Sequence, residues 1–106
     1  MNGGGWEELA EIDRAGMPIR ARFGAEPILI FDTPAGLRGV QEDCPHTGQS
    51  LETALIMSGG QMLRCAYHSY IFRFKDGRGV NCPGHQIAVF DIKAEAGTLF
   101  ARRPPA

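Results

Sequence analysis

Two short pairs of residues carry the chemistry this chain can do: Cys44-Pro45-His46 and Cys65-Ala66-Tyr67-His68. Eighteen residues, Thr47 to Arg64, separate them. Each pair offers one thiolate and one imidazole beside a turn, where a bent backbone lets two side chains converge. Two Cys and two His suit zinc or an iron–sulfur centre. Zinc arms typically carry like residues, C-x₂₋₄-C with H-x₃₋₅-H. Here each arm mixes one Cys with one His, and the first has a single intervening residue. Mixed arms suit a cluster in which one iron takes two Cys and the other two His, each loop giving a ligand to each iron. A zinc-binding interaction module without redox activity is the alternative from another class. The third cysteine, Cys82, makes the number odd, which argues against a disulfide framework and for metal or redox use.

The elements that must position these pairs read as β. Fourteen glycines and seven prolines punctuate short segments, as in an all-β domain. Ile19–Phe23 alternates apolar and polar residues, Gly24-Ala25-Glu26 turns, and Pro27–Phe31 is an apolar run of strand length. Thr33–Gly36 turns again and Leu37–Gln41 returns, completing a three-strand meander. Gln86–Ile92 and Thr98–Ala101 flank a turn at Glu95-Ala96-Gly97 and can close that sheet. The tail from Arg102 to Ala106 cannot continue a central strand, because its prolines lack an N–H donor. Only Trp6–Ala15, with Trp6, Leu9 and Ile12 at weak helical spacing and Gly16 as its stop, suggests a short helical turn.

The middle, from about Glu42 to His85, holds every Cys and His. It also holds a hairpin, Leu55–Met57 and Gln61–Arg64, around Ser58-Gly59-Gly60, whose glycines supply the positive φ such a turn needs. Because the ends of a hairpin are neighbours, it brings the two Cys/His loops together. The expectation is one all-β domain over residues 1–106: an antiparallel base barrel or sandwich built from both ends of the chain, with an inserted subdomain over about 42–85.

Composition excludes several function classes. The formal net charge is −1, with eleven Lys and Arg spread along the chain, so neither a nucleic-acid footprint nor a polybasic membrane patch is present. No stretch approaches the ~20 apolar residues of a membrane span. The first residues lack a basic and an apolar region, and the expected location is cytoplasmic. There is no Ser/His/Asp arrangement, phosphate loop or nucleotide fingerprint, so no catalytic residue is assigned.

The two pairs and their spacer resemble the Rieske motif, C-x-H followed by C-x-x-H. The likeness covers most of the chain, including Trp6-Glu7-Glu8-Leu9 and the meander. It implies a Rieske fold and one [2Fe–2S] cluster, with Cys44 and Cys65 on the buried iron and His46 and His68 on the outer iron. Within the family, the segment Cys65–Asn81, with its aromatic Tyr70, Asp76-Gly77 turn and Gly-x-Asn ending at Asn81, resembles the ferredoxin of toluene-4-monooxygenase-type diiron systems. The ferredoxins of ring-hydroxylating dioxygenases come next, and the small subunit of nitrite reductase is a further alternative. The resemblance implies an electron carrier, not an enzyme, passing single electrons from an NADH-dependent flavin reductase to a terminal oxygenase, with a diiron hydroxylase favoured.

Departures from the family are also informative. Respiratory Rieske proteins bridge their two loops by a disulfide; the matching positions here are Gln49 and Tyr67, which cannot form one. Their Ser and Tyr hydroxyls near the cluster match Tyr70 and Phe72, and Phe72 has none. Fewer hydrogen bonds to sulfur imply a potential near the low end of the family range, about −150 mV. Cys82-Pro83-Gly84-His85 repeats C-x-x-H but lies too far along the chain for the pattern. It reads as a proline-containing loop over the cluster, with Cys82 and His85 unligated. Leu51 reads as apolar cover or ordinary core, and Tyr67 and Tyr70 as shielding aromatics. Pro45, Thr47, Tyr67 and Pro83 would then form a small, mostly uncharged docking face around the histidines.

Overall fold

The computed structural model describes residues 5–45, 48–67 and 69–104. Among these residues ten strands form two antiparallel sheets. The larger has seven: β1 (Glu7–Glu8), β2 (Ala10–Asp13), β3 (Ile19–Phe23), β4 (Glu26–Thr33), β5 (Gly36–Gln41), β9 (Val89–Glu95) and β10 (Thr98–Arg102), in the order β1-β10-β9-β5-β4-β3-β2. The smaller has three, β6 (Leu55–Met57), β7 (Met62–Arg64) and β8 (Ile71–Arg73), in sequence order. The expected all-β architecture and meander are observed, with Val40 of β5 opposite Val89 of β9 joining the two ends of the chain.

The segment expected to be helical is not. Glu7–Asp13 forms β1 and β2, which pair with β10 and β3 at opposite ends of the sheet order. One residue separates them. That residue, Leu9, is buried and donates its N–H to Leu99 O at 3.0 Å. The chain therefore draws two sheet edges together and closes the sheet toward a barrel. A helix of three weak turns is marginal alone, whereas pairing satisfies edge groups that otherwise face water. Leu9 and Ile12 still turn inward, against the same core.

Strand β4 explains how the two sheets are joined. Its Ile28 and Ile30 face a core with Leu9, Ile19, Ala21, Phe90 and Leu99. Its Leu29 and Phe31 face a second core with Val40, Leu63, Phe72, Ile87 and all three cysteines. Successive strand side chains point to opposite faces, so a strand covered on both sides must read as an unbroken apolar run. The smaller sheet packs on the outer face of the base through Leu63 and Phe72, both fully buried. Each such side chain contributes about 1.5–3 kcal/mol through burial.

Two strands differ from expectation. β8 has only three residues, Ile71-Phe72-Arg73, within a stretch whose sequence shows no alternation long enough to read. β9 begins at Val89 rather than Gln86. Gln86 is drawn into a bridge with Arg78, and the Ile87 N–H binds Gly77 O at 2.8 Å, so these residues serve the smaller sheet first.

Candidate metal centre

The two Cys/His pairs sit in loops with the same backbone design. The first runs over 44–49, between the bridged residues Asp43 and Ser50. The second runs over 65–70, between Arg64 of β7 and Ile71 of β8, which are register partners. Cys44 N–H donates to Gln49 O at 2.7 Å and Cys65 N–H to Tyr70 O at 2.8 Å. In the reverse direction, Gly48 N–H donates to Cys44 O at 2.8 Å and Ser69 N–H to Cys65 O at 3.0 Å. The fifth residue of each loop is left-handed, Gly48 at φ 73° and Ser69 at φ 57°. Glycine adopts that conformation freely and serine does not, so the left-handed residue of the second loop carries no glycine to mark it.

Each loop roots its cysteine in the core. Cys44 and Cys65 are 1 % and 0 % exposed and belong to one buried cluster, together with Leu51. Leu51 is thus part of that core. No cysteine is in a disulfide. His46, Thr47 and His68 lie outside the described residues, and among the described residues no group of three Cys, His, Asp or Glu gathers. Arg20 of β3 reaches Glu42 at 2.9 Å and also Glu52, tying the base sheet to both sides of the first loop.

Residues 73–86 form the third wall. Arg73 pairs with Asp76, and the Arg78 N–H donates to the same carboxylate at 3.0 Å. The Arg73 guanidinium and that N–H hold the Asp76 carboxyl below the usual carboxylate range. Gly79 N–H binds His85 O at 3.0 Å, and His85 N–H binds Cys82 O at 3.1 Å. A Cβ on Gly79 would lie 2.5 Å from Cys82 Sγ and 2.7 Å from Cys82 O, so only glycine fits. The Cys82 thiol turns inward, 3.9 Å from Ile71 O. Burial pushes it above the ordinary cysteine range, with Cys44 acting in the same direction. Pro83 is exposed. The His85 ring lies 5.5 Å from that of Tyr70, at 32°.

The sequence profile described as Rieske [2Fe-2S] domain matches residues 7–93. The chain belongs to the Rieske [2Fe–2S] family. Among its relatives, the terminal oxygenase component of carbazole 1,9a-dioxygenase from a Sphingomonas species is 26 % identical over 102 residues, 88 % of this chain. The chain spans only 26 % of that protein's length. Among solved structures, a putative nitrite reductase NADPH small subunit superposes with a TM-score of 0.74 at 14 % identity, covering 92 % of this chain and 97 % of that one. A chain of the complex of reduced oxygenase and oxidised ferredoxin in carbazole 1,9a-dioxygenase gives 0.64 at 18 % identity, covering 95 % and 97 %. At these identities the superpositions speak to the Rieske fold alone.

The donor chemistry fits the family's group. Two buried thiols at equivalent roots of matching loops, each with a histidine further along its loop, form the soft-plus-imidazole set that a Rieske [2Fe–2S] cluster takes. When bound, the cluster supplies one-electron redox chemistry. The chain's own residues fix the loop paths and exclude water from the thiol side. Sequence reading singled out Asn81 only as the end of the Gly-x-Asn segment that carries the resemblance and gave it no role; its carboxamide binds the second loop, where Nδ2 donates to Ser69 O at 3.0 Å and Oδ1 accepts from Ile71 N–H at 2.9 Å.

No helix among the described residues is long and apolar enough to cross a membrane.

Proposed function

We propose that the protein is a one-electron carrier, a ferredoxin that takes electrons from an NADH-dependent flavin reductase and delivers them to a terminal oxygenase of the Rieske ring-hydroxylating type. One observation carries this reading: two loops of the same backbone design, each rooted by a buried cysteine, in a chain matched by the Rieske family over residues 7–93. Cys44, His46, Cys65 and His68 would hold one [2Fe–2S] cluster, in a single domain whose residues 42–85 form the cluster-binding part. Cys82 and His85 would stand outside the ligand set. The sequence likeness to the terminal oxygenase component of a carbazole dioxygenase favours a ring-hydroxylating setting for electron delivery. A diiron monooxygenase hydroxylase as acceptor is the second reading, favoured by the resemblance carried by Tyr70, the Asp76-Gly77 turn and Asn81.

Metal and acid-labile sulfide analysis tests the cofactor, with two irons and two sulfides per chain expected. One zinc without sulfide would overturn the redox reading. Reoxidation of the reduced protein by a ring-hydroxylating oxygenase, by a diiron hydroxylase and by a nitrite reductase catalytic subunit then ranks the acceptors. Fastest turnover with the diiron hydroxylase would exchange the two readings.

A further inference from the structure

The loop that carries His68 adopts a left-handed residue without glycine. Ser69 sits at φ 57°, where its counterpart Gly48 sits at φ 73°. A side chain at that position is strained, so the conformation must be held by its surroundings. Arg64 Nη2 donates to Ser69 Oγ at 2.8 Å from within the hairpin, and the segment 80–82 holds the backbone on both sides of Tyr70. Ser69 O accepts from Asn81 Nδ2, Ile71 N–H donates to Asn81 Oδ1, and Ile71 O accepts from Val80 N–H at 2.7 Å. Tyr70, between them, is fixed by its own carbonyl on Cys65 N–H. One side chain therefore reaches across twelve residues of sequence to one side of Tyr70 and ten to the other.

The orientation of the carboxamide is determined by its partners. Ser69 O can only accept and Ile71 N–H can only donate, so the two ends cannot be exchanged. Both bonds lie at an exposed position, where a lone flexible side chain would compete poorly with water. This one is presented by a turn that closes on itself through Gly79 N–H on His85 O and His85 N–H on Cys82 O, which lowers the ordering cost of the two bonds.

We propose that Asn81 is a positioning residue that holds the His68-bearing loop in its left-handed path and so fixes how that loop meets the cluster. The proposal deepens the ferredoxin reading and rests on it for the cluster. The placement of the loop by Asn81 is independent of what the loop binds.

The variants are Asn81→Ala, Asn81→Asp, Ser69→Gly and Asn81→Ala with Ser69→Gly, measured in the holoprotein. Loss of its acceptor should speed hydrogen exchange at the Ile71 amide by about tenfold or more relative to the base strands, a loss on the scale of one net hydrogen bond. Release of iron to a ferrous chelator should accelerate by a similar factor, and the electron paramagnetic resonance g-values of the reduced cluster should shift. Asn81→Asp keeps the acceptor for Ile71 and loses the donor to Ser69, so its exchange at Ile71 should stay near the parent while iron release rises. Ser69→Gly removes the strain that the bonds restrain, at the loss of the exposed Arg64 Nη2–Ser69 Oγ bond, which Ser69→Gly alone controls for, and should bring the double variant back to within about threefold of that single variant in iron release. A general loss of stability would instead raise exchange evenly and would not be rescued by glycine, and either result overturns the proposal. If the protein holds no iron, the ferredoxin reading fails, and exchange at residues 65–71 still decides the role of Asn81.

Discussion

Replacing Cys82 by alanine separates a buried thiol that packs from two that would ligate. All three cysteines are nearly inaccessible, Cys44 at 1 %, Cys65 at 0 % and Cys82 at 5 %, so burial does not distinguish them. Position does. Cys44 and Cys65 occupy the same place in two matching loops, whereas Cys82 packs against Gly79 with its sulfur 3.9 Å from Ile71 O. At that separation the thiol contact adds little. The cost of Cys82→Ala is then the burial of one sulfur atom, somewhat more than the ~0.8 kcal/mol of a methylene, plus a small cavity. A total of about 1–2 kcal/mol follows. For a domain near 100 residues, 1 kcal/mol moves Tm by about 4–8 °C, so a fall of roughly 5–15 °C is expected. The visible spectrum and the iron-to-protein ratio should be unchanged. Cys44→Ala and Cys65→Ala should lose the spectrum. Thermal melts followed by circular dichroism, with iron analysis of each variant, make the comparison. Loss of iron from the Cys82 variant, or retention of the full spectrum by either of the others, would refute the ligand assignment.

Three further outcomes are expected. The midpoint potential should be negative, near about −150 mV, because buried Phe72 brings no hydroxyl to the second loop; protein-film voltammetry returning a value above zero would contradict this. Gly79→Ala should cost about 1–3 kcal/mol through overpacking, and Cys82→Ala in the same chain should recover only part of it, since Cys82 O still lies 2.7 Å from the added carbon; full recovery in denaturant melts would mean that the sulfur alone sets the constraint. Tyr67 and Val80 are 53 % and 50 % exposed beside the second loop, so Tyr67→Glu or Val80→Glu should weaken reductase and oxygenase alike while leaving the cluster spectrum intact. Titrations in which only one partner is affected would require two docking sites.

How far the sequence revealed the fold depends on where each residue's partners lie. Strands β3 and β4 were legible because their pattern reports their surroundings directly, alternating in β3 and continuous in a β4 covered on both faces. The β6–β7 turn was legible because Gly59 and Gly60 take the positive φ that their type permits, 65° and 98°. Glu7–Asp13 was not, because its conformation is set by β10 and β3, far along the chain, rather than by its own spacing. Strand β8 is no shorter than β6 and β7, but no glycine pair sets it off from the second loop as Gly59-Gly60 does for them. At the candidate site the cysteine types and spacing pointed to the loops. Ser69 and Asn81 carried no local sign of their roles, since each role exists only when the two segments meet.

The placement of the cysteines has a physical consequence for how such a site can exist before and after it is filled. Cys44 and Cys65 lie in the same buried cluster as Leu51, Leu63 and Phe72, which attaches the smaller sheet to the base. As thiols they behave as small apolar side chains, so the cluster packs without a buried charge. As ligands they are thiolates, and the positive charge of the metal compensates what burial would otherwise penalise. The same two positions can therefore serve folding in one state and ligation in the other. A core that accepts either state lets the two loops take their shape from the hydrogen bonds at their ends, from Cys44 to Gln49 and from Cys65 to Tyr70.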